Sequence, residues 1–333
     1  MSILDSLKFV SGAVARKDFI PELCAVFIHE GKISAYDGLL SISCPIDIEI
    51  TAAPLADPFI KAIKACEPGE PLALSMTKAG RLSVKSGKFK AFVDCVPDAD
   101  VRVKPPQPEG QEVPVTEAFF AGIKKLAPVM GIDASRPWCR SIRLFGPSIF
   151  ASNNIIVAEY WHGSPVAIEI VIPAEAVIQY LSAGRVPIKL LYNEDSVSFL
   201  YEDGAWIRSQ LLVDGWPVDP TKIFKETAKP VPVAEGFFAA VKKIKPFAAD
   251  DILYCGTGKV ATGEIVEDDK NQAGAIMEVD IVAEVKPVFS LHNMLLLDGI
   301  ADKLDFESYP EPSAFTGQRT RGVIAGRMRP SPA

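Results

Sequence analysis

The chain has 333 residues, 48% hydrophobic and 23% charged, with a formal net charge of −7. This is the composition of an ordinary globular chain with material for several small cores, and its acidic balance excludes most proteins that hold nucleic acid by massed phosphate contacts. No apolar run approaches the roughly 18 residues that span a bilayer, and the N-terminus has no signal-like apolar stretch, so the expected location is the cytoplasm. In chain order, the first third predicts a short helix ahead of "ARKDF", an alternating strand "GKISAYDGLLSIS", a second strand "CPIDIEITAAP", a helix "LADPFIKAIKAC" and the hairpin "PLALSMTKAGRLSVKSGKFKAFVDCVPD". The middle third repeats the order: a helix, "PSIFASNNIIVAEYW", "PVAIEIVIP", the helix "AEAVIQYLSAG", then "PIKLLYNEDSVSFLYEDGAWIRSQLLVDGWPVD". The last third gives "GKVATGEIVED", "AIMEVDIVAEVKP", the helix "VFSLHNMLLLDG" and the closing strands "KLDFESYP" and "RGVIAGRMRP".

The parallel is written most plainly in "VPVTEAFFAGIKKLAP" (113–128) and "VPVAEGFFAAVKKIKP" (231–246), identical at ten of sixteen positions at an offset of 118. That period is too long for a solenoid unit and matches a small domain. Each third carries two helices and strands of alternating polarity, which suits antiparallel sheet covered on one face by helices. "VKPPQPEGQEVP" and "DPTKIFKETAKPVPV" are rich in proline and charge and serve as linkers, so domains are expected at 1–110, 111–230 and 231–333.

Residues 1–112, 113–230 and 231–333 carry net charges of −2, −1 and −4, so any grip on DNA should be weak and local. Phe120, Ile123 and Ala127 recur at helical spacing and predict a buried stripe, with Lys124 and Lys125 outside it; Lys242 and Lys243 repeat the arrangement. On the second helix, Phe59, Ile60 and Ile63 predict the apolar face, with Lys61 and Lys64 outside. The six cysteines are widely spaced without a C-x-x-C, and there are only three histidines, so neither a zinc site nor a disulfide framework is indicated. No phosphate loop, nucleophile elbow or metal-ligand spacing is present, so no enzymatic activity, metal or cofactor is expected.

The run "LADPFIKAIKACEPGEPLALSMTKAGRLSVKSGKFKAFVDCVPDAD", the run "GIDASRPWCRSIRLFGPSIFASNN" and the terminal "VIAGRMRP" together resemble the three-domain bacterial sliding clamp, the beta subunit of DNA polymerase III, in a phage-encoded form. The resemblance covers the whole chain. It implies an α+β fold of three repeated DNA-clamp domains, each with two helices packed on antiparallel sheet, closed into a ring by head-to-tail dimerisation. It also implies a processivity factor that encircles double-stranded DNA without sequence preference, is loaded by an ATP-driven clamp loader and tethers the replicative polymerase. The alternative is a non-enzymatic three-domain scaffold that does not encircle DNA.

Residue by residue, the resemblance assigns DNA contacts to Arg16 and Lys17 after the first helix and to Arg136, Trp138 and Arg140 in "DASRPWCR", beside the helix lysines Lys61, Lys64, Lys124, Lys125, Lys242 and Lys243. Trp138 stands where the family commonly has tyrosine, and Pro137 replaces its aromatic neighbour. A partner-peptide groove falls on Ile155, Ile156, Ile223, Phe224, Met328 and Pro330; here the loop lacks the family's His-Arg pair, and "SPA" extends the terminus. The dimer interface falls on Lys88 and Lys90 of the first domain and on Ile244 and Phe247 of the third, with Asp250 and Asp251 as partners for the lysines.

Overall fold

The computed structural model describes residues 2–97, 101–213, 215–224, 228–266 and 273–329. The chain opens with α1 (Ile3–Val10), β1 (Phe27–His29), β2 (Lys32–Tyr36), β3 (Leu40–Pro45), α2 (Ala56–Lys64), β4 (Leu72–Met76), β5 (Leu82–Ser86), β6 (Phe89–Val93) and β7 (Gln111–Pro114). It continues with α3 (Glu117–Leu126), β8 (Ser141–Ser152), β9 (Ile156–Pro173), α4 (Ala174–Ser182), β10 (Lys189–Tyr192), β11 (Ser196–Leu200) and β12 (Trp206–Gln210). The last third supplies β13 (Val231–Pro232), α5 (Phe237–Ile244), β14 (Ile252–Gly256), β15 (Lys259–Ala261), β16 (Ile276–Glu278), β17 (Val288–Ser290), α6 (Leu291–Leu296), β18 (Lys303–Leu304), β19 (Ser313–Gly317) and β20 (Thr320–Ile324).

These elements form two compact units, Met1–Thr116 with Glu175–Val213, and Glu117–Ala174 with Asp214–Ala333. The first holds a seven-stranded antiparallel sheet in the order β1-β2-β3-β12-β11-β10-β7 and a three-stranded sheet β4-β5-β6. Strands β3 and β12 join with Ile42 opposite Ile207 and Ser43 opposite Trp206, so neither end of this hydrophobic pairing is left as an open edge. Helix α1 lies on β2 and β3 and buries Leu7 and Val10. The second unit holds a six-stranded antiparallel sheet, β13-β18-β19-β20-β9-β8, and a four-stranded sheet, β16-β15-β14-β17. Helix α3 packs on β8 and β9, and α5 on β15 and β16. No helix among the described residues is long and apolar enough to cross a membrane.

Sheets therefore combine strands from neighbouring thirds, which a repeat read from sequence does not disclose. The restart "VPV" becomes a short edge strand both times, β7 against β10 and β13 against β18, where proline's missing N–H costs least. Gly110 enters β7 with φ of 111°, and a Cβ there would come within 2.1 Å of the Tyr192 carbonyl oxygen, so only glycine fits.

Several strand expectations are corrected: besides those that follow, "PSIFASNNIIVAEYW" is the end of β8 and the start of β9 rather than one strand, and "AIMEVDIVAEVKP" is strand only at β16, Ile276–Glu278. "GKISAYDGLLSIS" is two strands, β2 and β3, rather than one. "CPIDIEITAAP" is not a strand: it meets its neighbours at isolated bridges, Ala52 with Ile28 and Pro54 with Cys95, while Ile48 and Ile50 stay half-buried. "PVAIEIVIP" is the far end of the 18-residue β9, whose long ladder with β8 absorbs two register shifts near Gly146. "KLDFESYP" pairs at only two residues before Asp305 turns the chain by accepting the backbone N–H groups of Glu307 and Ser308; "PSAFTG", unassigned in the sequence, supplies β19.

Candidate nucleic-acid interface and partner surface

The repeated helices bury a stripe shifted by one residue from the expectation. In α3 it is Phe119, Gly122, Ile123 and Leu126, while Phe120 and Ala127 are half-buried; in α5 it is Phe237, Ala240, Val241 and Ile244. The i, i+3, i+4, i+7 pattern holds, but with the first phenylalanine of each pair as its anchor. On α2, Phe59 and Ile63 are buried and Ile60 is half-buried. Gly122 lets α3 approach the sheet closely: a Cβ there would lie 2.5 Å from Tyr160 Cδ1 and 2.8 Å from Ile149 Cδ1. Beneath the same helix the His162 ring meets Phe119 edge-on, centroids 5.1 Å apart, and its Nδ1 accepts the Ser164 N–H. His162 is 3% exposed with Nε2 unpartnered, and desolvation holds its pKa down at about 4.

On the outer faces, Lys61, Lys64, Lys124 and Lys243 are exposed and Lys125 is half-buried, and none has an ion-pair partner among the described residues. Lys242 differs, because its ammonium lies 3.3 Å from Asp298.

The loop after α1 exposes Arg16 and Lys17. It is closed by the Ala15 N–H donating to the Leu23 carbonyl and by Asp18 Oδ1 accepting the Ile20 N–H, which turns Phe19 fully into solvent. Arg16 also borders a pocket of about 380 Å³ with Asp57 and Pro58 at the start of α2.

The second loop is pinned by Gly131, whose N–H donates to the Cys139 carbonyl. Asp133 accepts the Ser135 N–H and hydroxyl, which hold its carboxyl below the usual range, and Arg136 lies 3.9 Å from it. Arg136 is exposed and Arg140 half-buried. Trp138 is half-buried with its ring edge-on to Trp216, centroids 5.6 Å apart, and the Trp216 indole N–H reaches Ser141 Oγ. That packing fixes the Trp138 ring against protein on one side. The exposed loop tips Phe19 and Ile132 were not singled out from sequence, because hydropathy assigns such residues to a core; the local signal was an adjacent aspartate, Asp18 before Phe19 and Asp133 after Ile132.

The groove residues are distributed unevenly. Ile155 is partly exposed and its carbonyl accepts the Ala325 N–H, whereas Ile156 is fully buried opposite Ile324, so its side chain serves the core. Ile223 and Phe224 are half-buried, with the Arg321 guanidinium 4.9 Å above the Phe224 ring while Arg321 also pairs with Glu159. Met328 is 93% exposed, and Pro330 lies outside the described residues.

At the expected interface, Lys88 and Lys90 are exposed, with the Lys90 ammonium 4.9 Å over the Phe92 ring. Phe247 is exposed, but Ile244 is buried in the stripe of α5 and offers no surface. The Asp251 carboxylate is engaged by the Ser290 hydroxyl and the His292 N–H; Asp250 is exposed. Among the described residues no cluster of His, Cys, Asp or Glu could hold a metal, and all six cysteines are free.

No family model matches the sequence, and no curated protein matches it significantly. Solved structures do. A Caulobacter crescentus β sliding clamp superposes with a TM-score of 0.82 at 18% identity, covering 98% of this chain and 97% of that one. A Helicobacter pylori β clamp bound to a DNA ligase peptide gives 0.80 at 14% identity, with 98% of both chains covered. A Pseudomonas aeruginosa sliding clamp, the DNA polymerase III subunit beta, bound to griselimycin gives 0.80 at 13% identity over 98% of this chain and 97% of that one. From its first helix to its last strand, the chain has the fold of the bacterial β sliding clamps.

Proposed function

We propose that the chain is a DNA polymerase processivity factor, a sliding clamp that closes as a head-to-tail homodimer around duplex DNA and has no catalytic role of its own. Its domains are 1–110, 111–230 and 231–333; its partners are the replicative polymerase and an ATP-driven loader in the cytoplasm. The observation that carries this is likeness over 98% of the chain to clamps that share only 13–18% of its residues, so that architecture rather than common sequence is what is preserved. The charge distribution agrees. An acidic chain with isolated surface lysines and two basic loops cannot grip phosphates strongly, whereas a topological link needs only a locally positive channel.

The test is retention. Protein loaded on closed circular DNA should persist at salt that abolishes ordinary phosphate contacts, then leave once the circle is cut. Light scattering should give about 72 kDa, twice the 36.0 kDa chain. Equal loss from closed and linear DNA, or a monomer at every concentration, refutes the ring and favours a scaffold.

A further inference from the structure

Residues 71–93 carry five cations, Lys78, Arg81, Lys85, Lys88 and Lys90, and no carboxylate, although residues 1–112 as a whole are net −2. They fold into the three-stranded sheet β4-β5-β6, whose register sorts their side chains. Leu82, Val84 and Val93 are buried on one side, and β6 packs against α2. The other side sets Lys85 opposite Lys90 and Ser83 opposite Phe92, with Ala73 and Ser75 alongside on β4. Residues directly opposite share a face, as do alternate residues along a strand, so Lys90 and Phe92 are neighbours in one row.

Lys85 and Lys90 are like charges in directly opposing positions, where Cβ atoms lie about 4.5 to 5.5 Å apart, and such a pair destabilises a sheet. Lys78, Lys85, Lys88 and Lys90 are all exposed, and none has an ion-pair partner among the described residues. Arg81 does have one, Asp94 at 2.7 Å, while Glu67 accepts the Lys88 backbone N–H rather than its ammonium. Phe92 is 47% exposed between cations, with Lys90 Nζ 4.9 Å and Arg81 Cζ 5.9 Å from its ring centroid. Held near the ring in this way, both cations stay beside an aromatic surface that water covers poorly.

A polyanion lying along this row offsets the lysine repulsion, and the neighbouring groups narrow its chemistry. A carboxylate-rich peptide meets the lysines but leaves the Phe92 ring in water. An anionic bilayer needs further apolar side chains around Phe92, where the register puts Ser75, Ser83 and lysines. Each unit of a nucleotide strand carries both a phosphate and a flat base, and the base is free to stack when the strand is unpaired. We propose that this outer face of β4-β5-β6 binds single-stranded nucleic acid without sequence preference, Lys85 and Lys90 meeting phosphates and Phe92 stacking on a base. The proposal stands apart from the processivity reading: it needs no ring, and it uses the face of the sheet, leaving the open edge of β6 free for pairing.

The experiment measures anisotropy of a fluorescein-labelled oligothymidylate across a series of salt concentrations, with the full-length chain and the variants Phe92→Leu, Phe92→Tyr and Lys85→Gln with Lys90→Gln. The double lysine variant should flatten the slope of log affinity against log salt by about 1.4, two phosphate contacts at roughly 0.7 each. Phe92→Leu should weaken binding roughly tenfold with the slope unchanged, and Phe92→Tyr, which keeps a ring, should retain the affinity. An abasic strand of equal length should bind the wild type and Phe92→Leu alike. Affinity that survives the lysine changes but falls when Arg16, Lys17, Lys124 and Arg136 are replaced would put the strand elsewhere and overturn the proposal. So would poly-glutamate that competes as well as oligothymidylate at equal charge, or a mass by light scattering that the lysine changes alter, which would assign these lysines to a contact between copies. A wild type that does not bind the strand at low salt overturns the proposal and leaves retention on closed circles to be judged by itself.

Discussion

His162 is expected to make the fold sensitive to mild acid. Its ring is 3% exposed beneath α3, edge-on to Phe119, and no carboxylate acts on it; desolvation alone disfavours the imidazolium and places its pKa at about 4. In the unfolded chain the group titrates near 6.5, so between these values the unfolded state binds the extra proton and gains on the native one. The contribution is fully present above pH 6.5 and is lost as the pH falls towards 4. At the slope of about 1.4 kcal/mol per pH unit, the whole window is worth roughly 3 kcal/mol, a large share of an ordinary domain's stability. Carboxylates titrate over the same range, so the measurement must be a difference: urea denaturation at steps from pH 7.5 to 4.5 for the wild type and for His162→Phe, which keeps an aromatic edge for Phe119. The wild type should lose stability faster on acidification, with the gap between the two curves opening below pH 6.5. Parallel curves would mean that His162 charges without cost in the native state, and the assignment of its burial as the cause would be wrong.

Three further outcomes follow from the sites. Replacing Arg16, Lys17, Lys124 and Arg136 together by alanine should shorten retention on closed circular DNA and slow loading while leaving the mass by light scattering unchanged, because these side chains are exposed and serve no core. Phe224→Ala should weaken binding of an anchor-bearing peptide by roughly 1 to 3 kcal/mol in isothermal titration, as loss of a half-buried aromatic contact does, and an unchanged affinity would place the groove elsewhere. Gly122→Ala should lower stability by about 1 kcal/mol in thermal denaturation: the gain in helix propensity is outweighed by a methyl forced against Tyr160 and Ile149, although α5 carries Ala240 at the matching position.

The helices were legible in the sequence because their signal is local. Phe119, Ile123 and Leu126 recur with helical period and proline precedes α2 and α4, so the α-helices fall within the predicted segments, although "VFSLHNMLLLDG" begins as strand β17 and the buried stripe of the repeated helices is displaced in phase. The sheets were legible as strands but not as sheets, since pairing depends on residues far apart in the chain. Nothing near Ile42 announces that Ile207 will lie opposite it. "IDIEI" alternates as a strand should, yet it pairs with no strand: Ile46 is buried, Ile48 and Ile50 are only half-buried, and the chain meets β1 just beyond, at the single bridge of Ala52 with Ile28. For the candidate sites, the surface positions that the resemblance implies for Arg16, Lys17, Arg136 and Met328 agree with their exposure. Ile156 and Ile244 could not be placed from sequence, because an isoleucine reads alike whether it faces a groove or a core, and the face is set by register with β20 or by the phase of α5.

The loop cations bear on how such a chain would hold DNA. Arg136 stands near an Asp133 whose carboxyl Ser135 holds below its usual range, and Lys242 stands beside Asp298, so two of the positive groups are placed close to a carboxylate. Exposed pairs of this kind are worth only about 0 to 1 kcal/mol, too little to immobilise the cation, but they shorten the reach of its field over the Debye length of roughly 8 Å at physiological salt. In the proposed clamp each such cation would therefore meet a passing phosphate without building a deep well at any one register. A protein that reads sequence needs such wells, whereas one that slides is slowed by them. In the proposed clamp, an acidic chain whose basic groups are dispersed, some beside a carboxylate and others such as Lys61, Lys124 and Lys243 on open helix faces, would trade affinity for mobility, a trade workable only if something other than phosphate contact, the closed ring, keeps it on the duplex.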